Sequence, residues 1–311
     1  MLSGAAKSWG VVACLATFLS GCGSIASTPT NLPGISGGRS WMARAAKAGD
    51  LLYLSDVKTN AVDVYSFPRG RLVGTLTAFG EPRSECSDGA GDVWIADIGG
   101  YDVIEYPHGG SAPIVALSTP GAPLGCSVSP VTGDLAVTSN ANGAILSVFH
   151  YGKDRRWRDP QVYGDSGFRA SDFCGYDARG NLFLDGRDKA GSFRLAELAR
   201  GARKLTNIAV SQKFNRPGQV QWDGTYLAVG DAGGAPSKIY QFSVSGQKAT
   251  EAGFTTLGRA TSVRQFWIEG SHVIGPDFSR DVGFWQYPAG GSATKILRRV
   301  HGFGATVSLL R

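Results

Sequence analysis

From Trp41 to the C-terminus, short apolar runs alternate with turns rich in Gly, Asp, Ser and Pro, and one run recurs. Its copies are Leu52-Tyr53-Leu54-Ser55-Asp56, Val93-Trp94-Ile95-Ala96-Asp97, Leu135-Ala136-Val137-Thr138-Ser139, Leu182-Phe183-Leu184-Asp185, Leu227-Ala228-Val229-Gly230-Asp231 and Val273-Ile274-Gly275-Pro276-Asp277. Their starts lie 41, 42, 47, 45 and 46 residues apart. The third copy carries Ser in place of the terminal Asp, and in the fourth Asp185 comes one residue early. Before most copies another strand ends in a turn, as in Glu85-Cys86-Ser87-Asp88 and Cys174-Gly175-Tyr176-Asp177. After each comes a third, such as Val103-Ile104-Glu105-Tyr106, then a Gly-rich turn and a fourth. The turns Tyr106–Ala112 and Tyr287–Ala293 agree at six of seven positions, 181 residues apart. Four strands per repeat of about 40–45 residues is the pattern of a β-propeller blade. Both faces of such a blade are covered by neighbours, so its strands are apolar on both sides, as in Val93-Trp94-Ile95. Only Gly191–Lys204 hints at helix, and Gly201 interrupts it.

Six copies of the recurring strand predict an all-β, six-bladed propeller of four-stranded blades over residues 41–311. The first copy lacks a partner strand before it, because Ala43–Lys47 is polar and Ala-rich. Gly304–Leu310 has the missing inner-strand pattern, so the C-terminal strand is expected to close blade one and remove two exposed sheet edges. The segments Glu85–Asp97, Cys174–Asp185 and Gln219–Asp231 resemble NHL and YVTN-type propeller repeats, most of all those of bacterial propeller lipoproteins. The resemblance covers residues 41–311 and implies the fold. It does not imply one activity, because such propellers include ligand binders, scaffolds, lactonases and lyases.

The N-terminus reads as an address. Val11–Leu19 is a nine-residue apolar run after Lys7, too short to span a bilayer and of the length of a signal-peptide core. Leu19-Ser20-Gly21-Cys22 resembles a bacterial lipobox. That resemblance implies a signal peptide over 1–21, palmitate-type acylation of Cys22 and a membrane anchor in the cell envelope. An ordinary cleaved signal with an incidental Cys is the other reading. Gly23, in place of Asp, implies sorting to the outer membrane or cell surface, facing periplasm or exterior. Residues 22–40 have the small and breaker composition of a flexible tether.

Composition narrows the chemistry. Charged residues make up 18% of the 311, and the 31 basic residues are dispersed among 25 acidic ones, which argues against a nucleic-acid surface. No H-E-x-x-H, C-x-x-C, G-x-S-x-G elbow or phosphate loop is present, so no catalytic residue, metal site or cofactor is named. A monomer is expected. The strand-end residues Asp56, Asp97, Asp185, Asp231 and Asp277 read either as a cation-binding rim or as turn caps. With Cys14 lost and Cys22 acylated, Cys86, Cys126 and Cys174 remain. Buried free thiols are expected, and a Cys126–Cys174 bridge stays open. Trp157 sits in the basic loop Lys153–Arg158, which could touch lipid headgroups or simply be solvated.

Aligning the inner strands on their turn residues exposes polar exceptions. Glu85 stands where sibling strands have Cys126, Cys174, Val220 and Phe266. Two residues earlier lie Arg83, Leu124, Asp172, Gly218 and Arg264. Strand alternation puts both sets on one face, so Arg83, Glu85, Asp172 and Arg264 are expected at one axial mouth, with Gln219 and Gln265 nearby on the other parity. They form either an ion-pair plug or a site for a small anionic or zwitterionic ligand. The expected function is an envelope-anchored module binding a protein or small ligand through Arg83, Glu85, Asp172, Gln219 and Arg264. The alternative is a gluconolactonase-like metal-dependent hydrolase, for which the resemblance makes Glu85, Asp172 and Gln219 the counterparts of its metal-holding side chains.

Overall fold

The structure, a computed structural model, describes residues 39–139, 145–165, 167–278, 280–298 and 300–311. The expected signal peptide and the Cys22 lipobox, with the tether up to residue 38, lie outside the described residues. Among those residues no helix is long and apolar enough to cross a membrane. The first sheet takes β1 (Trp41–Met42), β2 (Leu51–Asp56), β3 (Ala61–Ser66) and β4 (Arg71–Leu76). Then come β5 (Pro82–Ser87), β6 (Val93–Asp97), β7 (Asp102–Tyr106) and β8 (Val115–Ser118), followed by β9 (Pro123–Val128), β10 (Leu135–Ser139), β11 (Leu146–Phe149) and β12 (Gln161–Tyr163). The chain continues through β13 (Phe168–Tyr176), β14 (Leu182–Asp188), β15 (Phe193–Leu198) and β16 (Thr206–Val210), and then β17 (Pro217–Trp222), β18 (Leu227–Asp231), β19 (Ser237–Ser245) and β20 (Lys248–Leu257). It ends with β21 (Trp267–Glu269), β22 (His272–Pro276), β23 (Val282–Gln286), β24 (Lys295–Leu297) and β25 (Gly302–Ser308).

From β5 onward each successive set of four is an antiparallel meander, the first sheet runs in the order β1-β4-β3-β2-β25, and the whole is a β-propeller. Strands β2, β6, β10 and β18 are buried at every position, as two-sided packing between sheets requires. The core is therefore divided into layers between neighbouring sheets. Trp94, Ala96 and Val103 of one sheet pack on Leu135, Val137 and Phe149 of the next, and Ala136 and Val148 pack on Leu182 and Leu184. Innermost strands touch in sequence around an axis: β25 packs on β5, β5 on β9, β9 on β13 and β13 on β17. The Gln221 side chain then joins β17 to Ile268 of β21 through two hydrogen bonds, and β21 contacts β25.

The C-terminal strand pairs antiparallel with β2, from Leu51 opposite Ser308 to Asp56 opposite Gly302. It starts at Gly302, two residues before the expected Gly304. Ala43–Lys47, expected to form no strand, is largely a 3-10 turn over Arg44–Ala48, and β1 adds a fifth strand to the first sheet through β4. The described sheets number five, not the expected six. The fourth and fifth repeats share one eight-stranded sheet, because Ala209 and Val210 of β16 pair in parallel with Lys248 and Ala249 of β20. Strands β19 and β20 run to nine and ten residues, long enough to reach past their own hairpin to this neighbour. Gly191–Lys204, the helix hint, contains β15 instead, since Leu195 and Ala196 are buried between strands on both sides.

The cysteine expectation is corrected. Cys86 and Cys126 form a disulfide, with Cα atoms 5.7 Å apart, and Cys174 is a buried free thiol. The bridge staples β5 to β9, neighbouring innermost strands. Cys174 instead points its thiol to the Ala136 carbonyl, 3.9 Å away. Burial holds that thiol protonated.

Candidate functional site

The ladder between the innermost strand and its partner breaks at the same level in five places. Register shifts fall between Pro82 and Ser84, at Pro123 opposite Ser139, between Ser171 and Cys174, between Pro217 and Val220, and opposite Leu54 to Asp56 in β25. Each adds one residue to the innermost strand, and a bulge of this kind turns the extra side chain out of the pleat. The residues at these breaks are Arg83, Leu124, Asp172 with Phe173, Gly218 with Gln219, and Phe303 with Gly304. Arg264 lies just before β21, between an isolated bridge at Val263 and the strand itself.

Phe303 is the centre of the resulting cluster. The Arg83 guanidinium lies 4.9 Å from its ring centroid and that of Arg264 5.7 Å. Phe173 stacks on the same ring at 6.5 Å, and Phe278 meets it edge-on at 5.8 Å. Arg264 Nη2 donates to Asp172 Oδ1 at 3.3 Å, and Arg83 pairs with Glu81. Both arginines keep a buried Nε without a hydrogen-bond partner among the described residues. A guanidinium has five donors in a planar fork, so each still has donors to offer a ligand.

Asp185 sits behind this surface, fully buried. One oxygen accepts the Phe173 amide at 2.9 Å and the other has no partner among the described residues. Burial, then the charge of Asp172, pushes the Asp185 carboxyl well above the ordinary carboxylate range. The Phe173 and Gly218 amides and Arg264 oppose the shift. Burial also raises Asp172, against the pull of Arg264, Arg187 and Arg216. Of the pair, Asp185 is the more costly to ionise, being fully buried, while Asp172 faces Arg264. Burial, and the charges of Arg216 and Arg187, lower Arg264, while Asp172 and Asp185 raise it.

The expected constellation is thus partly assembled. Arg83, Asp172 and Arg264 converge around Phe303. Gln219 is buried beside them in sequence register. Its amide N–H donates to the Arg264 carbonyl at 2.8 Å, and its side-chain oxygen has no partner among the described residues. Glu85 lies beyond the bulge and is fully buried. Its backbone N–H and carbonyl are clasped by the Gln265 amide at 3.1 and 2.6 Å, and Gln265 also accepts the Ala305 N–H at 3.1 Å. A Cβ at position 304 would collide with the Glu85 carboxylate, so Gly304 is needed for β25 to lie this close. Burial raises Glu85 well above the usual range, with Ser55 as the opposing neighbour. Strict alternation missed this division because Arg83 is itself the extra residue of the bulge between Pro82 and Ser84. It also missed Phe303, Arg187 and Arg216, which follow no repeat pattern. Asp185 carried a signal, its one-residue offset.

The other strand-end aspartates are turn and loop caps. Asp97 accepts the amides of Gly80, Glu81 and Gly99. Asp231 accepts those of Asn215, Arg216 and Gly233, and Asp277 those of Thr261 and Ser262. Asp56 caps Lys58 and Thr59. Trp157 packs inward, edge-on to Trp94 at 5.1 Å.

No protein-family model and no curated protein matches the chain. Solved structures do. A chain of a nidogen/laminin complex superposes with a TM-score of 0.68 at 13% identity, covering 85% of this chain and 100% of that one. The β-propeller domain of Cps50 (Swd1) from Myceliophteria thermophila gives 0.56 at 11%, covering 86% and 88%. A catalytically inactive virginiamycin B lyase from Staphylococcus aureus, solved with quinupristin, gives 0.53 at 12%, covering 85% and 88%. Identities this low establish the propeller fold and no shared activity.

Proposed function

We propose that this chain is an envelope-anchored binding module of NHL-like type: a six-bladed propeller, held to a membrane by acylated Cys22, that captures a small anionic ligand at its arginine-lined axial mouth. Counting the eight-stranded sheet as two blades supports the six, since β13–β16 and β17–β20 each repeat the four-strand meander. The observation that carries the ligand reading is the placement of Arg83 and Arg264, from different repeats, over one Phe303 ring with buried Nε atoms unpartnered. A carboxylate or phosphate group would take those donors in bidentate fashion. Gluconolactonase-like hydrolysis would rest on Glu85, Asp172 and Gln219, of which Glu85 is packed against Gly304 of β25. Arg264, Arg187 and Arg216 already supply counter-charge to Asp172, which favours binding over metal chemistry.

A thermal-shift screen of small carboxylates and phosphate esters against wild type, Arg83→Ala and Arg264→Met tests the site. Ligands that raise the wild-type Tm by several degrees should lose most of that shift in both variants. Equal shifts in all three proteins would sink the axial site. Cys22→Ala should leave the detergent phase for the aqueous phase. Stoichiometric metal in chelator-free protein, lost in Asp172→Asn, would move the assignment to the hydrolase.

A further inference from the structure

The hairpin between β5 and β6 carries a second feature. Asp88 and Asp92 flank its turn and Glu105 reaches it from β7. Ligand oxygens of the three carboxylates lie within 4.8 Å of one another. Glu105 is only 9% exposed, and among the described residues its carboxylate has neither a hydrogen bond nor an ion pair.

The repeat supplies internal controls. In the fourth repeat Asp177, Asn181 and Glu197 occupy the equivalent positions. There Asn181 Nδ2 donates to Asp177 Oδ2 at 2.9 Å, so an amide replaces one carboxylate and neutralises the contact. In the fifth, Gln241 Nε2 and Tyr287 Oη donate to Asp223 Oδ2 at 3.2 and 2.5 Å. In the third, His150 Nδ1 sits 3.1 Å from Asp134 and the Thr132 hydroxyl donates to it at 2.8 Å. In each of these three turns a side chain donates to the acid. The second repeat brings three acids, one of them nine-tenths buried, and among the described residues only backbone amides donate to Asp88 and Asp92 and nothing donates to Glu105.

We infer that Asp88, Asp92 and Glu105 form a calcium-binding site that ties the β5–β6 hairpin to β7. Three carboxylates with no nitrogen or sulfur ligand suit a hard cation. Calcium accepts mixed mono- and bidentate carboxylates with water completing its shell, whereas magnesium demands a near-ideal octahedron. Asp88 Oδ1 is engaged with the Ala90 and Asp92 amides, and Asp92 Oδ1 with the His108 amide at 3.1 Å. Their Oδ2 atoms and the Glu105 carboxylate remain to bind the ion. The site is separate from Arg83, Asp172 and Arg264.

The full chain in detergent, stripped with chelator and dialysed, is titrated with calcium chloride, with bound calcium read by equilibrium dialysis and Tm by circular dichroism. One calcium per chain is expected, with Kd of about 0.1–1 mM as in other extracellular modules. At calcium 100 times Kd, Tm should rise by roughly 5 °C. Asp92→Asn reproduces the Asn181 arrangement. It should weaken calcium at least tenfold, yet melt no lower than wild type in chelator. Glu105→Gln should lose calcium equally, and Asp172→Asn should bind as wild type does. Absence of saturable calcium uptake by wild type, or wild-type binding by Asp92→Asn and Glu105→Gln, would overturn the site.

Discussion

Asp231 ends β18 and Asp185 lies within β14, the equivalent strand, yet they live in opposite environments. The Asp231 carboxylate accepts four hydrogen bonds, from the Asn215, Arg216 and Gly233 amides and from Asn215 Nδ2. It locks the incoming loop to the end of β18, as Asp97 and Asp277 do in their own repeats. Asp185 stands one residue earlier. The two-residue period of a strand sends it to the other face, where it becomes a buried acid beside Asp172 and Arg264. The same side chain is a clasp in one register and part of the axial cluster in the next. A carboxylate is cheap to bury when backbone donors surround it and costly when they do not.

Five substitutions break or sharpen this contrast. Asp231→Ala leaves several donors without an acceptor and should cost about 3 kcal/mol, read as a fall in the urea midpoint at unchanged slope. An effect under about 1 kcal/mol would mean that the clasp is not structural. Arg264→Met strips Asp172 of its cation. The side chains are 19% and 13% exposed, so the loss should be about 2 kcal/mol, below that of a fully buried pair. Adding Asp172→Asn should recover part of it, and no recovery would deny the pairing.

Asp185→Asn should be close to neutral below about pH 4, in contrast with Asp231→Ala, because the carboxyl is protonated there in both the folded and the unfolded chain. The folded pKa of Asp185 lies above its unfolded value. The native state therefore binds more protons than the unfolded one, and wild-type stability should fall relative to the variant as pH rises above about 4. Parallel melting curves for the two proteins across pH 4–8 would contradict the buried-acid assignment. The smallest effect belongs to Asp102, paired across the ladder with Asp97 and raised to about 6 by burial and by the Asp97 charge. Asp102→Asn should gain on wild type only as pH rises from about 4 to 6, with no further change above. A gain that keeps growing to pH 8 would point to another group.

Much of the fold was legible because its signals are local. The recurring Val93–Asp97 type of strand, the Asp88 and Asp177 turns and the closing strand near Gly304 each follow from alternation and turn chemistry within a few residues. The candidate site was legible in part. Arg83, Asp172 and Arg264 stood out as charges in slots that sibling strands fill with Leu or Gly. Glu85 looked equivalent but is sealed against β25 by Gly304. The partner of Cys126 proved to be Cys86, whose Cα lies 5.7 Å away, a spacing between neighbouring innermost strands that the sequence does not display.

By itself, then, the sequence determined the repeat, the faces of its strands and the return of the last strand to the first sheet. These depend on a two-residue period and on turn residues that act over short stretches of chain. Tertiary structure alone decided which charges meet at the axis. One extra residue in β5, β13 and β25 re-aims Arg83, Asp172 and Phe303, and these strands come together only when the ring of sheets closes. The Gln265 amide grips Glu85 across 180 residues, a contact created only when the ring of sheets closes.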